Sequence, residues 1–160
     1  MRARAIVASD RAAAGDYTDR SGPLLVAGLT ELGFTTDPAV VVADGEPVQR
    51  ALQDAIHDGV DVVLTSGGTG VTPRDRTPEA TRAVIEREIP GIAEAIRAYA
   101  RDTVPTAMLS RGLAGVAGRT VIINLPGSTG GVRDGLTVLA PVLRHAVEQV
   151  RGGDHEEVRR

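Results

Sequence analysis

Four short runs of apolar, largely β-branched residues recur along this chain, and turn or loop residues bound each of them. They are Arg4–Ala8 (RAIVA), Ala39–Ala43 (AVVVA), Val60–Thr65 (VDVVLT) and Thr120–Asn124 (TVIIN). Runs of this length bounded by turn residues read as strands covered on both faces. Helical patterns fill the intervals. Ser21–Leu32 is a helix with Ser21 as its cap candidate and Gly33 just past its end. Pro47–His57 places Val48, Leu52, Ala55 and Ile56 on one face. Pro78–Glu88 follows a capping Thr77 and carries Glu79 at the positive end of the helix dipole. Pro90 breaks that run, Ile92–Asp102 resumes it, and Pro105–Ser110 holds a short helical turn. Arg111–Gly118 is too glycine-rich for a stable helix and reads as an edge strand or hairpin. Val132–Val150 is helical, interrupted at Pro141. This βαβα alternation predicts an α/β fold, a mostly parallel sheet with helices on both faces. The segment 90–118 is expected to pack beside the sheet as an insertion. Residues 1–151 form the single domain, and 152–160 a polar C-terminal tail.

Absences narrow the chemistry. The 160 residues contain no cysteine, which excludes a disulfide framework, a thiolate metal site and a Cys nucleophile. All 18 basic residues are arginine, so a P-loop lysine, a Schiff base and a lysine general base are excluded. The aromatic residues are Tyr17, Phe34 and Tyr99, too few for a base-stacking platform. A net charge of -3 argues against a nucleic-acid partner. No apolar stretch approaches the ~18 residues of a membrane span, and no signal peptide precedes the first strand. The expectation is a cytoplasmic protein with no membrane partner. His57, His145 and His155 lack metal-ligand spacing, and His57 reads as a dipole partner at a helix end.

In open parallel sheets ligands bind beyond the carboxyl ends of the strands. Those ends carry Ser9-Asp10-Arg11, Asp44-Gly45-Glu46, Ser66 through Gly70, and Leu125-Pro126-Gly127-Ser128. Gly67-Gly68-Thr69-Gly70 allows backbone N–H groups to wrap a phosphate, with a hydroxyl from Thr69. The plainer reading is a turn that serves geometry alone. Asp44 and Asp75 fall on adjacent loops if their strands are neighbours. Two carboxylates near phosphates suit Mg2+, and turn or cap formation is the competing role for each. Arg74, Arg76, Arg111 and Arg133 are candidate phosphate clamps or solvated charges. Ser128 and Thr129 stand between a strand and a helix, where they cap the helix, bind an anion, or do both.

Three segments carry a more specific signal: SDRAAAGDYTDRSGP (Ser9–Pro23), TSGGTGVTPRDRTPEAT (Thr65–Thr81) and MLSRGLAGVAGRTVIINLPGSTGGVRDGL (Met108–Leu136). Together they resemble the MogA/MoaB family of molybdenum cofactor biosynthesis, over nearly the whole chain. Thr129 departs from the proline the family often has after LPGS. The resemblance implies a three-layer α/β/α fold, a homotrimer, and binding of molybdopterin, a pterin with a dithiolene and a terminal phosphate. For members of the MogA type it implies Mg2+-dependent adenylation of molybdopterin by ATP, and contact with the molybdenum-inserting enzyme. It places the family's two important acids, catalytic and metal-holding, at Asp44 and Asp75. Its phosphate loop falls on Gly67, Gly68, Thr69 and Gly70. Ser9, Ser110, Asn124, Pro126, Gly127 and Ser128 match further substrate-binding positions. The alternative on the same fold is a non-catalytic molybdopterin-binding or carrier protein of the MoaB type.

Overall fold

The computed structural model describes residues 1–153; most of the expected tail, including His155, lies outside the described residues. Strands β1 (Arg2–Ala8), β2 (Thr35–Thr36), β3 (Val40–Val42), β4 (Val62–Ser66), β5 (Arg87–Glu88), β6 (Ala114–Ala117) and β7 (Thr120–Leu125) form one sheet. Its order is β2-β1-β4-β7-β6-β5, with β3 also paired to β1. β2 registers with the start of β1 and β3 with its end, so the two short strands share one flank of β1. β1–β4 and β4–β7 are parallel, and β5 and β6 add an antiparallel margin. The chain leaves β1 for β3 on one side and reaches β4 on the other. The tips of β1 and β4 therefore flank a topological switch point, where a crevice opens.

Helices α1 (Asp10–Ala13), α2 (Ser21–Glu31), α3 (Glu46–His57), α4 (Thr77–Arg82), α5 (Pro90–Arg101), α6 (Thr129–Leu139) and α7 (Leu143–Val150) make the outer layers. Strand periodicity of two sorts the core. Ala3, Ala5, Val62, Leu64, Val121 and Ile123 meet Leu25, Leu29, Ile96, Val132, Leu139 and Val147 of α2, α5, α6 and α7. Ile6, Ala8, Val63 and Ile122 meet Val48, Leu52 and Ala55 of α3 and Ala80 of α4 on the other face. This is the expected three-layer α/β/α arrangement.

Four expectations need correction. The helix expected over 78–88 ends at Arg82, because the chain turns through Val84 and Ile85 to supply an edge strand. Glu86 N donates to Val116 O and Ile89 N to Ala114 O, which stitches that segment to β6. Pro90 starts α5 instead of breaking a helix, a position where its missing N–H costs nothing. The segment 90–118 is not an insertion beside the sheet: α5 joins one helical layer and β6 pairs with β7. Finally, Ser21 does not cap α2 from its own hydroxyl. Asp19 does so, accepting from Ser21 N at 2.9 Å and from Gly22 N at 3.0 Å. The break at Pro141 falls between α6 and α7 as expected. Among the described residues no helix is long and apolar enough to cross a membrane.

Candidate functional site

The loop after β4 is shaped by glycine. Gly67 (φ +100°) and Gly68 (φ +62°) adopt backbone angles that other residues rarely hold. A Cβ on Gly67 would collide with the carbonyl oxygen of Ala8 at the tip of β1, and one on Gly68 with the carboxylate of Asp44. The loop thus lies directly against both neighbouring strand ends.

Its polar groups divide by direction. Gly68 O accepts from Thr77 N at 3.1 Å, and Thr69 O from Arg111 N at 2.8 Å. Gly70 O accepts from Arg111 Nε at 2.7 Å, and Asp75 O from Arg111 Nη2 at 2.7 Å. The carbonyls are therefore engaged away from the crevice. The N–H groups of Gly68, Thr69 and Gly70 donate to nothing among the described residues. Successive unengaged amides at a cleft wall form an anion-binding concavity.

Asp44 caps α4 from a different loop. Its Oδ1 accepts from Gly45 N at 2.7 Å and from Thr77 Oγ1 at 3.1 Å, and its Oδ2 from Arg76 N at 3.1 Å. Thr77, expected as the cap, is the first helical residue and donates its hydroxyl instead. Asp75 closes its own turn: its Oδ2 accepts from Thr72 N at 2.8 Å, and its N–H donates to Thr72 O. Both carboxylates line one cleft of about 200 Å3, together with Ser9 and Gly68. Ser9 caps α1, accepting from Ala12 N at 3.2 Å. Among the described residues no three potential ligands gather into a metal cluster. Asp10 lines the same cleft, its Oδ1 accepting from Asp44 N at 3.0 Å, and carboxylates gathered there still match Mg2+, which takes one or two protein oxygens and completes its shell with water and phosphate.

Two larger clefts flank this one and share Gly68, Gly127 and Ser128 as a common wall. The first, of about 450 Å3, includes Thr69, Gly70, Asp75, Ser110 and Pro126, with an apolar side from Ala100, Val104 and Leu109. The second, of about 360 Å3, includes Ser9, Tyr17, Ser66, Gly67 and Thr129. Ser128 caps α6, its Oγ accepting from Gly131 N at 3.0 Å, so the capping role is the observed one.

The structure gathers these residues with one exception. Asn124 is 4% exposed and lines none of the clefts. Its Nδ2 donates to Thr65 Oγ1 (3.0 Å) and Thr81 Oγ1 (2.9 Å), and its Oδ1 accepts from Leu113 N. Its side chain serves the layer behind the loop. Of the arginines, Arg74 lines the small cleft, whereas Arg111 is spent on the loop and on an ion pair with Glu79. Hydrogen bonding from Arg111 holds the Glu79 carboxyl below the usual carboxylate range, and Glu79 raises Arg111 in return. The apolar wall at 100–109 escaped sequence reasoning; its one signal was a run of apolar residues in a proline-containing turn.

Residues 4–145 match the model of a probable molybdopterin binding domain. The chain belongs to this molybdopterin-binding family. Relatives within reach of the family include a molybdenum cofactor biosynthesis bifunctional protein of Synechococcus elongatus. It is 42% identical over 98% of this chain, and the chain spans about half, 50%, of that protein's length. A molybdopterin adenylyltransferase of Helicobacter pylori is 36% identical, with 91% of this chain and 85% of that protein covered. The solved structure of the molybdopterin biosynthesis Mog protein from Mycobacterium ulcerans superimposes with a TM-score of 0.90 at 54% identity. That match covers 94% of this chain and 97% of that one. As a molybdopterin-binding family member, the chain presents two clefts that meet at one glycine-rich edge.

Proposed function

We propose that this protein is an enzyme of molybdenum cofactor biosynthesis. It transfers the adenylyl group of ATP to the terminal phosphate of molybdopterin and releases pyrophosphate. The observation that carries the reading is the set of unengaged amides on Gly68, Thr69 and Gly70 where two clefts and two carboxylates converge. A phosphate oxygen of the pterin attacks the α-phosphorus of ATP, and the bond from that phosphorus to the pyrophosphate oxygen breaks. The attacking group is already anionic, so no residue has to remove a proton. The sequence has no lysine, and no histidine among the described residues lines the three clefts, which is consistent with that chemistry.

The work left to the protein is alignment and charge. Two anions must approach each other, and the loop amides offset part of their repulsion in a partly water-excluded wall. Asp75 and Asp44 would hold Mg2+, which when bound neutralises phosphate charge and stabilises departing pyrophosphate. Ser128 and Gly127, common to both clefts, set the distance between the two substrates. Ser110 and Pro126 line the apolar-walled chamber, and Ser9 the polar ones. The homotrimer, the cytoplasmic location and the contact with the molybdenum-inserting enzyme belong to the same reading.

The test is direct. The protein is incubated with molybdopterin, ATP and Mg2+, and adenylylated pterin and pyrophosphate are measured. Formation of both is expected. A protein that binds molybdopterin but releases no pyrophosphate, where an adenylyltransferase relative does, is a carrier. A single-chain mass by light scattering contradicts the trimer.

A further inference from the structure

We infer that Arg111 is a positioning residue that fixes the polarity of the glycine-rich loop. It holds the carbonyls of Thr69, Gly70 and Asp75 on its own side, so that the Gly70 amide of the cradle and the Asp75 side chain face the substrates. The inference deepens the proposed function, since it rests on reading that loop as an anion cradle.

Arg111 lines none of the three clefts described above. Its backbone N–H and its guanidinium nonetheless make five hydrogen bonds to the segment 69–79. Three go to the carbonyls already named, at 2.7–2.8 Å, and two to the carboxylate of Glu79, one of them at 3.4 Å. Peptide units are rigid, so turning a carbonyl one way turns the next N–H the other way. Fixing Thr69 O and Gly70 O on the Arg111 side thereby aims the N–H groups of Gly70 and Val71 away from it. A carbonyl dipole released into the crevice would repel phosphate at the very place the amides attract it. Asp75 is held at both ends: its carbonyl by Arg111 Nη2, its carboxylate by Thr72 N. Glu79, one turn into α4, fixes the far side of the guanidinium and ties the brace to the helix that Asp44 caps.

The planar fork matters. Gly70 O and Asp75 O are reached by different nitrogens of one rigid group, which the single nitrogen of a lysine cannot reproduce.

The experiment measures adenylyl transfer in Arg111→Ala, Arg111→Lys and Asp75→Asn, singly and with Arg111→Ala and Asp75→Asn combined. Arg111→Ala is expected to lose about 10²-fold in kcat, the scale of a ~1 Å misplacement. Added guanidinium at sub-denaturing concentration restores part of it, and methylammonium does not. Arg111→Lys stays near the alanine variant. In the double variant the two losses do not multiply, because Arg111 acts through the segment that carries Asp75. Wild-type rates in Arg111→Ala, equal rescue by methylammonium, or fully multiplying losses overturn the inference. If Arg111→Ala does not fold, Glu79→Gln is read in its place: a several-fold loss is expected, and a wild-type rate overturns. If the wild type does not adenylylate, the function falls alone and the brace is judged with inorganic pyrophosphate by calorimetry. Binding weakened at least about tenfold in Arg111→Ala supports it. Unchanged affinity, or no binding by the wild type, overturns it.

Discussion

Replacing Asp44 and Asp75 each by its amide separates a carboxylate that caps a helix as well as facing the cleft from one that the fold barely uses. Three donors face the Asp44 carboxylate: Gly45 N, Thr77 Oγ1 and Arg76 N. Asparagine offers one oxygen and one NH2. With the oxygen toward Gly45, the NH2 confronts the Arg76 N–H; with the amide reversed, it confronts the Gly45 N–H. The threonine hydroxyl can rotate to accept, but a backbone N–H cannot. Either way one helix-capping or turn bond is lost and a donor meets a donor, costing about 1–2 kcal/mol. For a domain of this size that lowers Tm by roughly 3–8 °C. Asp75 differs: only its Oδ2 accepts, from Thr72 N. The amide oxygen of Asp75→Asn takes over that bond and its NH2 falls where Oδ1 had none, so stability changes by under about 0.5 kcal/mol. The rate of adenylyl transfer nevertheless falls by about 10²-fold or more, as for other lost electrostatic groups. Thermal melts followed by circular dichroism, together with the pyrophosphate-release assay, check both halves. An Asp44→Asn protein that melts with the wild type, or an Asp75→Asn protein that melts as low as Asp44→Asn, refutes the assignment of the two carboxylates. Full activity in Asp75→Asn removes Asp75 from the reaction.

Gly68→Ala must relax a φ of +62° and a Cβ lodged against the Asp44 carboxylate; a loss of about 1–3 kcal/mol and of pyrophosphate release is expected, and a stable, active variant would contradict the close packing. Asn124→Ala leaves Leu113 N–H buried without its side-chain acceptor and strips two threonine hydroxyls of a donor; urea denaturation should show a loss of about 2–4 kcal/mol. The Asn124→Ala protein that remains folded keeps its catalytic rate constant, since its side chain serves the layer behind the clefts. Glu79 titrates below its ordinary value because of Arg111, so its contribution to stability is complete above the ordinary glutamate pKa. That contribution disappears as pH falls through the depressed one. Stability measured from neutral to strongly acid pH should therefore decline less steeply below the ordinary carboxylate range in Glu79→Gln than in the wild type.

Much of the layer architecture was legible because burial on both faces leaves an uninterrupted β-branched run, as in TVIIN and VDVVLT. The clefts were legible in outline because strand tips in a parallel sheet share one edge, which alone places Ser9, Asp44, the glycine loop and Gly127 together. What stayed hidden depended on contacts between residues distant in the chain. Nothing in TPEATRAVIERE announces that Val84 and Ile85 turn the chain toward β6, since the edge strand exists only by virtue of its partner. Asn124 sits immediately before Leu125-Pro126-Gly127 yet faces two threonines and the Leu113 amide; orientation alternates along a strand, and the sequence does not state which face a residue near the strand end takes. Arg111 reads equally well as a phosphate clamp, because only geometry shows its guanidinium already engaged with Gly70 O, Asp75 O and Glu79.

α4 comprises six residues and is too short to persist by itself. Its first turn is secured by a carboxylate 32 positions upstream of Arg76 and by the carbonyl of Gly68. The loop from β3 and the loop from β4 should consequently open and close as one cooperative unit in amide exchange. A permuted chain whose termini were moved to the exposed turn at Gly59 would keep every residue of that unit, but it would have to recover the join by tertiary docking alone.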